Sequence, residues 1–172
     1  MPIITFILNK TNVEDCVNSI ESLKNQTVKT EIIVADLMGN YNNTDYPNKK
    51  YINMPEHDIK NDLLNLFHPS FQFFSFINSG DIYSNSKLEE SLDVTNKYNP
   101  HIGAVYTDEF DINGDRPIYY ESFNQKFNFK HYIFSINSLK DSVGFGPGNQ
   151  FLENISKKLM IFHLPKILSR FK

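Results

Sequence analysis

The sequence predicts an α/β fold, with one mostly parallel central sheet flanked by helices. Three observations carry this reading. Ile3–Leu8 and Glu31–Asp36 are short apolar, β-branched runs on either side of a stretch with apolar residues at helical spacing. That is a βαβ unit, whose strands run parallel with a right-handed crossover. Phe71–Ile77 is a further apolar run without the alternation of a strand that has one wet face, so it reads as buried on both sides. It breaks at Asn78-Ser79-Gly80-Asp81, and a helical pattern resumes at Ser86. A buried strand followed by a carboxylate-bearing turn puts that turn at the carboxyl edge of the sheet, where open α/β sheets bind ligands.

A chain of 172 residues, 40% of them hydrophobic, can bury one sizeable core, so residues 1–172 are read as a single domain. The net charge of −3, with lysines scattered along the chain, gives no basis for a nucleic-acid partner. The lone Cys16 excludes an intrachain disulfide and lies in an apolar helical pattern, which makes it a small core residue. The first strand follows directly on Pro2, without a signal peptide, and no apolar run approaches the length of a membrane span. The expected setting is cytoplasmic or inside a larger particle.

The elements follow in order. Asn12 caps a helix that begins with Glu14 and Asp15, where the helix dipole favours acids. Val13, Cys16, Val17, Ile20 and Leu23 follow at helical spacing, and the helix ends near Asn25-Gln26. Leu37–Lys50 is polar and Asn-rich and reads as a long loop, of the kind that is commonly functional or mobile. Tyr51–Met54 reads as a short strand and Ile59–Phe67 as a helix closed by Pro69. After the central strand, Ser86-x-x-Glu89 has the form of a capping box ahead of Leu88 and Leu92, and that helix ends near Pro100. Ile102–Thr107 is a strand, and Asn113-Gly114 between two β-like runs predicts a hairpin near 105–120. Phe123–Phe129 is compatible with a short helix, Ile133–Ile136 with a short strand, and Val143–Gly148 with a loop. Asn149–Met160 suits a helix and Ile161–Leu164 a last short strand.

This serial order resembles the family 2 glycosyltransferases of the GT-A fold over almost the whole chain. Ser22-Leu23-x-Asn25-Gln26-Thr27 is similar to the family's first-helix motif, and Glu31–Asp36 to the strand that usually ends in paired aspartates. Lys60-Asn61 stands where an Arg-Asn is frequent. Phe76-Ile-Asn-Ser-Gly-Asp-Ile-Tyr83 with Lys87-Leu88-Glu89 resembles the central motif, Gly103–Asp108 the next strand, and Phe162–Leu168 the closing segment. The resemblance implies transfer of a sugar from a nucleotide-sugar donor to an acceptor hydroxyl. A divalent cation on the diphosphate would offset the charge developing on the leaving group.

The residues depart from that pattern at three places. The metal-holding Asp-x-Asp turn is here Asn78-Ser79-Gly80, which leaves only the adjacent Asp81. The paired aspartates after the second strand are Ala35-Asp36. The general-base pair opening the late helix is Asn149-Gln150, and an amide has no useful basicity. The resemblance therefore implies Asp36, Asn61, Asn78 and Asp81 as donor contacts, with Asp81 and His163 as metal candidates. Gln150 stands at the base position, and Glu153, one turn further on, is a substitute. The expected cofactor is none, or weakly held manganese or magnesium, since one carboxylate among neutral amides makes a poor site for a hard cation.

Each candidate also has a plain structural reading. Asp81 reads equally as an Asx-turn residue, Asp36 as a turn or cap residue, and His163 as a satisfied histidine at a strand end. His57, His68, His101 and His131 show no ligand spacing, and Asp108, Glu109 and Asp111 read as a solvated hairpin face. The aromatic segment 119–134 is either late core or a surface for a protein partner or self-association. Loss of carboxylates at all three places, with the apolar framework kept, points to a binding or structural module such as a phage-particle component or an accessory subunit. The alternative is an active glycosyltransferase using Asp36, Asp81 and Glu153 or His163 in altered roles.

Overall fold

The structure, a computed structural model, describes residues 3–37, 50–53, 70–122, 131–141 and 150–171. Its elements in chain order are β1 (Ile3–Asn9), α1 (Val13–Lys24), β2 (Thr30–Asp36), β3 (Lys50–Asn53), β4 (Phe73–Asn78), β5 (Ile82–Tyr83), α2 (Lys87–Tyr98), β6 (Ile102–Asp111), β7 (Arg116–Ile118), β8 (Ile133–Ser135), α3 (Ile136–Asp141), α4 (Gln150–Ser156) and β9 (Met160–Phe171). The expected helix over Ile59–Phe67, the segment Phe123–Phe129 and the loop Val143–Gly148 lie outside the described residues.

Among the described residues the strands form one nine-stranded sheet in the order β3-β2-β1-β4-β8-β6-β9-β5, with β7 paired to β6. The expectation of a mostly parallel sheet holds for one half. β3, β2, β1 and β4 are all parallel. Beyond β4 the sheet is mixed: β8 is antiparallel to both β4 and β6, β9 is parallel to β6, and β5 is antiparallel to β9. The physical reason lies in β8. A strand entering between β4 and β6 from the far end hydrogen-bonds to both neighbours, and three residues suffice because all three are buried. The local pattern predicts a short strand over these residues, but not its central position.

Side chains of β1 alternate between two apolar layers. Ile4, Phe6 and Leu8 pack with Phe74, Phe76, Phe134 and the α4 residues Leu152 and Ile155. Ile3 and Ile7 pack on the opposite face with Cys16, Ile20 and Leu23 of α1 and Leu88 and Leu92 of α2. Both faces are dry, which is why these strands read as unbroken apolar runs. Each such side chain, fully buried, stabilises the fold by about 1.5–3 kcal/mol relative to exposure. Phe73, Phe74 and Phe76 are core residues, as expected. So are Tyr132 and Phe134, which removes them from any contact surface; Tyr119, 67% exposed, is not in the core.

The caps explain how the two helices are tied to the sheet. Asn12 caps α1 as expected, its Oδ1 accepting the Asp15 N–H at 2.8 Å. The capping box at Ser86 does not form. Ser86 makes no side-chain cap bond; its hydroxyl bonds to the Glu90 carboxylate, and Glu89 accepts from Thr27 instead. The α2 N-terminus is capped from a distance by Gln26, whose Oε1 accepts the Leu88 N–H at 3.1 Å while its amide donates to the carbonyls of Ser22 and Ser84. A buried amide that satisfies a free helix N–H and closes the end of α1 locks the two helices together.

The closing elements also differ from expectation. α4 ends at Ser156, and Met160 already belongs to β9, which runs far past Leu164 to Phe171. Pro165 is tolerated inside β9 because it falls at a register shift, between the pairs Thr107–Leu164 and Asp108–Ile167, where no ladder N–H is required. The Asn113-Gly114 hairpin is present between β6 and β7, but the left-handed residue is Asp115 (φ 45°).

Candidate functional site

The parallel half of the sheet ends in a row of amides and one acid. Asn9 lies opposite Asp36, Asp36 opposite Asn53, and Leu8 opposite Asn78. Asp36 and Asn78 thus flank β1 at the carboxyl edge, about 10 Å apart by two strand spacings. Asp36 and Asn9 are buried. The peptide after Asp36 is held by a bond from the Leu37 N–H to the Asn9 carbonyl at 3.1 Å, and the Asn9 Oδ1 accepts the Thr11 N–H at 3.2 Å. A hydroxyl contact of 2.9 Å between Thr11 and Ser79 ties the β1–α1 loop to the turn after β4.

That turn is fixed from beneath by α1. The Asp81 N–H closes it onto the Asn78 carbonyl at 3.1 Å. Gly80 has φ 92°, a left-handed conformation that glycine adopts without a side-chain penalty. Its N–H reaches both the Asp15 carbonyl (3.1 Å) and the hydroxyl of buried Ser19 (3.0 Å), and that hydroxyl donates to the Asp81 carbonyl at 2.8 Å.

The Asp81 side chain turns inward. It is 1% exposed, and its Oδ2 meets His131 Nε2 at 2.8 Å. The other ring nitrogen, Nδ1, bonds to Glu109 Oε1. The second Glu109 oxygen accepts the Tyr120 hydroxyl at 2.7 Å, and Ser169 Oγ lies 3.4 Å from the first. His131 is itself left-handed (φ 65°), and its N–H donates to the Phe76 carbonyl at 2.8 Å. Such a φ costs a non-glycine residue on the order of 1–2 kcal/mol, and here two carboxylates and a strand carbonyl hold it. Lys87 is also fully buried in this region, its Nζ donating to Thr107 Oγ1 at 2.6 Å and lying 5.1 Å from the Tyr83 ring centroid.

The neighbouring phenols report the same field. Burial pushes the Tyr83 hydroxyl well above the usual range, with the charges of Glu109 and Asp81 adding to it, and this hydroxyl donates to the Phe76 carbonyl at 3.0 Å. Burial and then Glu109 push Tyr120 up in the same way. Tyr106 is pushed up to about 12 by burial and then by Asp108.

Asp108 and Glu109 are therefore not a solvated hairpin face. They are 3% and 4% exposed. The irregular register of β6 against β9 lets two adjacent acids reach separate partners: Glu109 takes the buried His131, and Asp108 takes the partly exposed His163 Nε2 and the Tyr120 N–H, at 2.8 and 3.0 Å. The His163 ring stacks on Tyr106 at 4.7 Å. The sequence does not single out His131 and Glu109. No local signal marks them, because His131 is 50 positions from Asp81 and 22 from Glu109.

Of the other candidates, Asn61 lies outside the described residues. Gln150 opens α4, and Glu153 follows one turn later, exposed, next in sequence to the core residue Leu152. The structure thus joins Asp36 and Asn78 through β1, sends Asp81 to His131, and sends His163 to Asp108.

A divalent cation on the turn would need open oxygen ligands. Asn78 offers a neutral amide, Gly80 offers no side chain, and the Asp81 carboxylate is enclosed against His131. His163 keeps only Nδ1 for a ligand. Among the described residues no three His, Cys, Asp or Glu side chains gather as a metal-holding group. The residues of the turn do not fit a divalent cation.

This architecture is a GT-A-like glycosyltransferase fold. No family model matches the chain, and no curated protein matches it significantly. Solved structures do. Staphylococcus aureus TarS superposes with a TM-score of 0.77 at 14% identity, over 99% of this chain and 36% of that one. TarS 1–349 in complex with UDP-GlcNAc gives 0.74 at 15% identity, over 99% and 58%. The mannosyltransferase PcManGT from Pyrobaculum calidifontis, in complex with GDP-Man and Mn2+, gives 0.68 at 11% identity, over 98% and 56%. The chain spans between 36% and 58% of the length of these structures. No helix among the described residues is long and apolar enough to cross a membrane.

Proposed function

We propose that the chain is a nucleotide-sugar-binding module on a family 2 type glycosyltransferase fold, degenerate as a catalyst, serving within a larger assembly. One observation carries the reading. The only acid of the turn after β4, Asp81, is buried against His131, so the turn's half-buried side chains are those of Asn78 and Ser79, where a transferase of this kind presents carboxylates. Support for a retained nucleotide pocket comes from the half-buried Asn78 and Ser79 of the turn at the carboxyl edge of the parallel strands and from fold neighbours solved with UDP, UDP-GlcNAc or GDP-Man. Gln150 at the start of α4 supplies no base, and Glu153 lies a turn further along the helix, next in sequence to the core residue Leu152.

The test is thermal unfolding with UDP, UDP-GlcNAc and GDP-mannose, together with an assay for released or transferred sugar. A nucleotide at about 100 times its Kd stabilises by about 2.7 kcal/mol, which for a domain of this size raises Tm by roughly 5–10 °C. The expected outcome is such a shift without turnover. Turnover with Asp36- or Asp81-dependent rates would establish an active transferase instead, and no shift with any nucleotide would end the binding reading.

A further inference from the structure

We propose that His131 takes the turn's last carboxylate out of metal service, so that this site accepts a nucleoside diphosphate without a divalent cation. The inference rests on the nucleotide-binding reading above. It follows from which lone pairs are open. Asp81 has 1% exposure and spends an oxygen on His131 Nε2 at 2.8 Å. His131 cannot swing away easily, because its Nδ1 is held by Glu109, its N–H by the Phe76 carbonyl, and its ring stands edge-on to Tyr83 at 5.8 Å. Glu109 is held in turn by Tyr120 and Ser169. A manganese or magnesium ion reaching Asp81 would have to break this chain and shed its waters in a dry layer, which magnesium in particular does reluctantly. The remaining side chains of the turn offer an amide, a hydroxyl already bonded to Thr11, and only a hydrogen at Gly80.

The experiment uses the full chain. Manganese is titrated in alone and with UDP or GDP, and free aquo-manganese is read by electron paramagnetic resonance. Nucleotide isotherms are measured in parallel with manganese and with EDTA. The expected result is no protein-bound manganese beyond what the nucleotide itself carries, and nucleotide affinities within threefold of each other in the two buffers. One manganese bound per chain, or a nucleotide affinity more than threefold higher with manganese, overturns the proposal. If neither nucleotide binds in either buffer, the binding module of the preceding section is refuted, and the manganese titration alone then decides whether the turn is closed to metal. A second arm is His131→Ala, which removes the ring nitrogen bonded to the Asp81 carboxylate. A folded variant should gain manganese binding, and a folded variant that still ignores manganese overturns the role given to His131. If the variant does not fold, the wild-type titration decides whether the proposal stands.

Discussion

His131 is the residue on which the candidate site turns. Two buried acids share its ring, and it holds a left-handed backbone to reach them. Truncating it leaves Asp81 and Glu109 buried without that partner. His131→Ala should therefore cost about 3–5 kcal/mol in urea unfolding; a loss under about 1 kcal/mol would show that the two acids are satisfied without it. Gly80→Asp would place an acid in the turn but forces an aspartate into φ 92°, so Asn78→Asp is the safer way to add a carboxylate there. At the surface, Lys166 bonds the Glu90 carboxylate and holds it below the usual range. A carboxylate with a lowered folded value stabilises fully above its ordinary range and loses that contribution as pH falls through the lowered value. Lys166→Met should raise the Glu90 titration midpoint by NMR. It should change stability by less than about 1 kcal/mol, because both groups are partly exposed.

At the scale of elements, the helix start at Lys87 shows how a cap can be displaced. The local signature Ser86-x-x-Glu89 is present, yet the N–H of Leu88 goes to Gln26, 62 positions away. Ser86→Ala should cost only a few tenths of a kcal/mol. Gln26→Ala removes an acceptor from a buried N–H and should cost about 1–3 kcal/mol. Equal effects in denaturant titrations would mean that the distant cap is not what fastens α2. A second contact of this kind is Gly103, where an added Cβ would meet Ile155 Cγ2 at 2.4 Å, so β6 lies against α4 only because no side chain intervenes.

For the whole molecule, β4 is the hinge between the parallel and mixed halves of the sheet, bonded to β1 on one side and β8 on the other. Ile77 in β4 is fully buried, in one apolar layer with Ile3, Ile7 and Leu88. Ile77→Asp places a charge there without a partner and should abolish cooperative folding, seen as lost near-ultraviolet circular dichroism and a flat melting curve. A folded, soluble Ile77→Asp protein would show that this layer tolerates charge and that β4 is not central to stability.

The parallel half of the fold and the position of its carboxyl edge were legible in the sequence, because both rest on local signals. Buried parallel strands announce themselves as apolar runs, an amphipathic helix between two of them dictates the crossover, and Asn78–Asp81 marks where the chain leaves the sheet. Asn12 declared its cap for the same reason: donor and acceptor are three residues apart. The mixed half was decided in three dimensions. β8 is a strand by virtue of two neighbours distant in sequence, β9 passes its proline because a register shift absorbs it, and Gln26 outcompetes a nearer cap. The charge of the site belongs to this second class. An aspartate in a turn, a glutamate in a hairpin strand and an isolated histidine each look solvated when read alone, and only the packing of β6 beside the turn encloses all three and makes each the others' solvent.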